Sequence, residues 1–114
     1  MSQFPLAVQG FEAFIKYFPK SDMADDAQFY IGESYFNGSK WTEAAAAYAR
    51  VISDYPGGNQ VPQAYYKRGR ALENIPGQID EAKTAYQTVT DKFPDSQAAI
   101  LAKQRLEALN RPAR

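Results

Sequence analysis

Phe18-Pro19-Lys20-Ser21 returns as Tyr55-Pro56-Gly57-Gly58 and again as Phe93-Pro94-Asp95-Ser96, the prolines standing 37 and 38 residues apart. A fixed period of roughly 20 to 50 residues is the mark of a repeat architecture, in which each unit buries its apolar face only against its neighbours. Counting back from each pair, Phe11, Tyr48 and Tyr86 fall in register, as do Ala7, Ala44 and Ala82, and Phe4, Trp41 and Ile79. Between the prolines the apolar residues follow a helical step. Phe29, Gly32, Tyr35 and Phe36 are followed by Trp41, Ala44, Ala45, Tyr48, Val51, Ile52 and Tyr55, spaced mostly by three and four. Each repeat is therefore two helices. Gly38-Ser39 separates them in one repeat and Asn74-Ile75-Pro76-Gly77 in the next, where one extra residue accounts for the longer spacing.

This reading predicts six helices, near 4–17, 22–37, 40–54, 60–74, 78–92 and 96–109. Pro5 suits a first helical turn, and Ser21 and Ser96 are placed to cap the helices after their prolines. With A and B denoting the two helices of a repeat, the order is B, A-B, A-B, A. The expected division is a half-repeat over 1–19, repeats over 20–56 and 57–94, and a capping helix over 95–110.

The chain has 114 residues, a length that suits one domain. At 45% hydrophobic and 14% aromatic it is too apolar to be disordered, yet it lacks the long apolar run of a membrane span. Thirteen Lys and Arg balance thirteen Asp and Glu, so no field of one sign attracts nucleic acid or anionic lipid. The local clusters, Asp22, Asp25 and Asp26 and then Lys103, Arg105, Arg111 and Arg114, read as charges matching helix ends. Met1-Ser2-Gln3-Phe4 has neither a basic start nor an apolar signal core.

Cysteine and histidine are both absent, which excludes disulfides, thiolate or imidazole metal sites and catalysis built on either residue. The carboxylate pairs Asp25-Asp26 and Asp80-Glu81 are neighbours in sequence and diverge by about 100° on a helix. Gly57-Gly58 is an isolated turn and not a phosphate loop. The expectation is a protein that is not an enzyme and needs no cofactor or metal.

The pattern is similar to the tetratricopeptide repeat, whose layout sets a Gly in helix A, an Ala twelve residues later, an aromatic four beyond and a Pro eight further. Gly32, Ala44, Tyr48 and Pro56 fit it, and Gly69, Ala82, Tyr86 and Pro94 fit with the one-residue insertion. The place usually given to Trp carries Gln28 and Tyr65 instead. The resemblance implies an all-α fold, a right-handed α-solenoid of antiparallel helix pairs serving protein–protein interaction. In such a solenoid the A helices line a concave groove that an extended peptide or a partner helix can enter. The expected groove residues are Phe29, Glu33, Phe36 and Asn37, then Tyr66, Arg70, Glu73 and Asn74. Phe29 and Tyr66 are expected to stand exposed as apolar anchors, the alternative being that each packs on its neighbouring helix. Asn37 and Asn74 either bond a ligand backbone or simply end helices. Arg70 could meet an acidic partner or pair with Glu33 or Glu73.

The aromatic-Pro-x-Ser punctuation, with the stretch Phe11 to Pro19, the stretch Tyr30 to Tyr35 and the ending Ala102-Lys103-Gln104-Arg105-Leu106, resembles the C-terminal repeat domain of the periplasmic Tol-Pal accessory family. That resemblance implies a periplasmic scaffold that binds TolA and coordinates outer-membrane constriction with wall synthesis. The alternative is a repeat module of an outer-membrane protein assembly lipoprotein, or a general repeat adaptor. Phe4, Phe11, Phe14 and Phe18 form an aromatic strip on a B helix with no A helix before it, which opens the possibility of self-association.

Overall fold

The computed structural model describes residues 4–112, and side chains from residue 6 onward. Met1, Ser2, Gln3, Ala113, Arg114 and the side chains of Phe4 and Pro5 lie outside the described residues. Among those described there are six α-helices and no strand: α1 Phe4–Tyr17, α2 Ala24–Asn37, α3 Trp41–Asp54, α4 Val61–Leu72, α5 Ile79–Lys92 and α6 Gln97–Leu109. The fold is an all-α helical repeat of the tetratricopeptide type.

Each helix packs on the next in sequence, and α4 also meets α6. The A helices α2, α4 and α6 therefore form one layer, and the B helices α1, α3 and α5 the other. The shortest extent of the molecule, 18 Å, suits two layers of helices whose axes lie about 8–10 Å apart.

Close crossing at the glycines holds the layers together. A Cβ on Gly32 would stand 2.5 Å from Cε1 of Tyr48, and one on Gly69 2.4 Å from Cε1 of Tyr86. Only a residue without a side chain lets a tyrosine ring of helix B lie flat against helix A. Tyr48 and Tyr86 are fully buried in consequence, as are Ala44, Ala82, Val51 and Val89 in the same helices. A smaller cluster of Val8, Ile31 and Ala47 joins α1 to α2 and α3.

The helix ends follow local chemistry. Ser96 caps α6, its Oγ accepting from the Ala99 N–H at 3.0 Å. Ser21 does not cap α2: its Oγ accepts from the Met23 N–H at 3.1 Å, and α2 starts later, after Met23. Asp25 and Asp26 occupy the first turn of α2, where carboxylates complement the helix dipole. Gly77, at φ +81°, makes the turn between α4 and α5.

Candidate functional site

The inner face of α2, α4 and α6 is built outward from the two glycine notches. The ring of Tyr48 enters the Gly32 notch from the B layer, and its hydroxyl emerges to donate to Oε1 of Glu33. Lys67 of the next A helix closes the set, with Nζ 3.5 Å from Glu33 Oε1 and 3.8 Å above the ring of Phe36. One repeat later the Tyr86 hydroxyl donates to Oε2 of Glu73. Arg105 of α6 then grips that carboxylate with both arms of its fork, Nε at 2.9 Å from Oε2 and Nη2 on Oε1. The A helices are thus tied to each other by tyrosine, carboxylate and cation in series.

Both tyrosine hydroxyls are shifted well above their ordinary pKa, first by burial and then by the carboxylate each donates to. They are permanent donors at neutral pH. For Glu73, burial pushes upward, but the hydrogen bonds from Arg105 and Tyr86 outweigh it and hold the carboxyl below the usual carboxylate range. Arg105 is raised in turn by its bond to Glu73.

Lys67 and Arg105 stand at the same place in successive repeats, 11 residues after Pro56 and Pro94. The two acids do not. Glu33 corresponds in register to Arg70, and Glu73 to Phe36. Arg70 therefore occupies the acid's place in its repeat. Among the described residues it forms no ion pair within 4.0 Å. Its Nη1 donates instead to the Tyr66 hydroxyl at 3.0 Å, and its guanidinium centre lies 6.0 Å from that ring.

The expected exposure of Phe29 and Tyr66 is corrected: they are only 7% and 9% exposed. Phe29 packs on Tyr48 at 5.5 Å between ring centres, and Tyr66 on Tyr86 at 5.9 Å. Each lies one turn before its glycine, so the tyrosine that fills the notch also covers it. Burying such a ring is worth roughly 1.5–3 kcal/mol, and the core takes it. Phe36 is half-buried between Trp41, at 5.1 Å, and the Lys67 ammonium. The expected pairing of Arg70 with Glu33 or Glu73 is also replaced, because Lys67 and Arg105 reach those acids across the helix layer. Arg105, read as a helix-end charge, is an inter-helix tie.

Asn37 and Asn74 are exposed, Asn37 as the last residue of α2 and Asn74 just after α4, where its Nδ2 donates to the Arg70 carbonyl at 3.0 Å. The inner face thus offers solvent a half-buried arginine, an exposed amide at each helix end and the rim of Phe36. Sequence reading missed Lys67, Arg105 and the hydroxyls of Tyr48 and Tyr86. The equal placing of Lys67 and Arg105 was the available signal.

No group of three or more acidic side chains is gathered as metal ligands among the described residues, and no helix there is long and apolar enough to cross a membrane. No curated protein matches the chain significantly. The family model described as YfiO, outer membrane lipoprotein, matches residues 1–112. With nearly every residue aligned to it and the helical repeat in place, the chain belongs to the YfiO outer membrane lipoprotein family.

Proposed function

We propose that this chain is a non-catalytic scaffold module of an outer-membrane protein assembly lipoprotein, acting in the periplasm, and that its inner face receives an acidic segment of a partner protein at Arg70. The observation that carries the reading is the state of Arg70. It is restrained by Tyr66 and, although its charge acts on Glu73, has no carboxylate within 4.0 Å, while Glu33 and Glu73 are gripped by Lys67 and Arg105. A carboxylate brought by a partner would complete a charge-assisted, fork-shaped pair, with Asn74 one turn away to bond its backbone. The lack of Cys and His, and the use of Glu33 and Glu73 as structural ties, support a role without catalysis.

The punctuation shared with the Tol-Pal accessory family supports a second reading, in which the partner is TolA. The family match favours the assembly module. Titration with soluble fragments of outer-membrane assembly proteins, beside a periplasmic fragment of TolA, separates the two. Arg70→Glu is expected to weaken the cognate complex by at least about tenfold, roughly 1.4 kcal/mol. Unchanged affinity would remove Arg70 from the interface, and binding to the TolA fragment alone would select the second reading.

A further inference from the structure

We propose that the recess between the α1–α2 and α3–α4 loops receives a lysine side chain of a partner protein, its ammonium held by Asp25 and Asp22 beside the Tyr55 ring. The recess measures about 370 Å³ and is lined by Ser21, Asp22, Asp25, Tyr55, Gly58 and Asn59. Two of these six residues are acids and none is basic. The repeat does not require the acids. Three and six residues after Pro19 stand Asp22 and Asp25, but after Pro56 the same places hold Asn59 and Pro62, and after Pro94 they hold Gln97 and Ile100. The negative charge is thus peculiar to this junction.

Asp25 turns this hollow into a site. It is only 7% exposed, an unusual depth for a carboxylate. Its Oδ1 accepts from the Asp26 N–H at 2.8 Å, whereas its Oδ2 accepts from no donor among the described residues. No Lys or Arg among them comes within 4.0 Å of Asp25 or Asp22. Gly58 makes the room, since a Cβ there would collide with Asp25 Oδ2. A buried charge without a counter-charge is costly, and the start of α2 offsets it only in part, because a helix end carries about half an elementary charge. Asp26 in the same turn already complements that dipole, and its Oδ1 accepts from Gln60 Nε2 at 2.9 Å. Tyr55 feels the same unbalanced field: burial and then Asp54 raise the pKa of its hydroxyl, Arg50 opposes them, and Asp25 adds a smaller upward push.

The arrangement suits an ammonium better than a guanidinium or a metal ion. An ammonium directs three N–H donors outward from one point, toward the separate acceptors of Asp25, Asp22 and Asn59. A guanidinium fork pairs best with both oxygens of one carboxylate, and one oxygen of Asp25 is engaged. No third acidic side chain is gathered with Asp22 and Asp25 as a metal ligand among the described residues. The Tyr55 ring offers the cation an aromatic wall. The recess shares no residue with the inner face around Arg70, so the two sites stand or fall separately.

Titration of the full chain with Nα-acetyl-lysine methylamide, followed by amide chemical shifts, is the test. Saturable shifts are expected at Asp25, Asp26, Gly58 and Asn59, with a dissociation constant in the millimolar range that weakens with added salt. The neutral analogue acetylated on Nζ is expected to bind the unaltered chain at least about fivefold more weakly. Asp25→Asn, its fold checked by thermal midpoint, is expected to weaken the lysine probe by a similar factor, and Ile100→Gln at the far end is the control that leaves binding intact. Asp22→Asn and the comparison of the two probes decide the matter even if Asp25→Asn fails to fold. Shifts that do not saturate by about 50 mM, equal binding of the neutral analogue, or tighter binding of the matching arginine probe would overturn the proposal.

Discussion

At Gly32 the side chain that is missing matters more than any that is present. Alanine there, or at Gly69, forces a ring to move, because the Cβ would come within 2.6 Å of atoms of Tyr48 or Tyr86. Overpacking of this kind is expected to cost about 1–3 kcal/mol in urea denaturation. Gly10→Ala meets no atom and removes backbone freedom from the unfolded chain, so it should stabilise by about 0.5–1 kcal/mol. The Glu73 carboxyl gives a pH signature. Its folded pKa lies below its unfolded one, so the unfolded chain takes up the proton first as pH falls. Its contribution is complete above the unfolded value, about 4.3, and is lost as pH drops through the folded one. Urea midpoints measured down to pH 3 should therefore show a weaker acid loss for Glu73→Gln than for the parent. The glycines and tyrosines were legible in the sequence because their spacing repeats. The ties at Glu33 and Glu73 were hidden because their places do not.

Helix boundaries show how far local chemistry reaches. All six helices lie within two residues of the limits that periodicity and punctuation predict, and α6 starts at its predicted cap. The second cap fails, since two residues separate Ser21 from Ala24 and no side chain caps α2. Ser96→Ala should lose about 1 kcal/mol, while Ser21→Ala should lose a few tenths at most. A thermal-melt comparison of the two measures the difference. At the crossing of α2 and α3, Ala44 is fully buried among Tyr48 and its neighbours. Ala44→Leu is expected to cost about 1–3 kcal/mol by the same overpacking.

Over the whole molecule, stability is shared unevenly. Helices α2 to α5 each pack between two neighbours, whereas the one extensive interface of α1 is with α2. In a repeat array each unit gains from its nearest neighbours, so the end with one interface opens first. Amide exchange should be fastest in α1. The far end differs: α6 turns Lys103 and Glu107 to solvent, and the Arg105 fork on Glu73 pins it to the end of α4.

The sequence by itself determined the helices, their pairing and the two glycine notches, because each depends on residue type at a fixed interval along the chain. Which aromatic faces solvent and which acid meets which cation were decided only in three dimensions. Phe29 and Tyr66 share the A-helix stripe that should line the groove, yet each is covered by a tyrosine from a helix many residues away. Lys67 and Arg105 likewise reach acids more than 30 residues back in the chain. A helical stripe fixes only the direction in which a side chain leaves its own helix. What it meets depends on how closely the next helix approaches, and here the glycines set that distance.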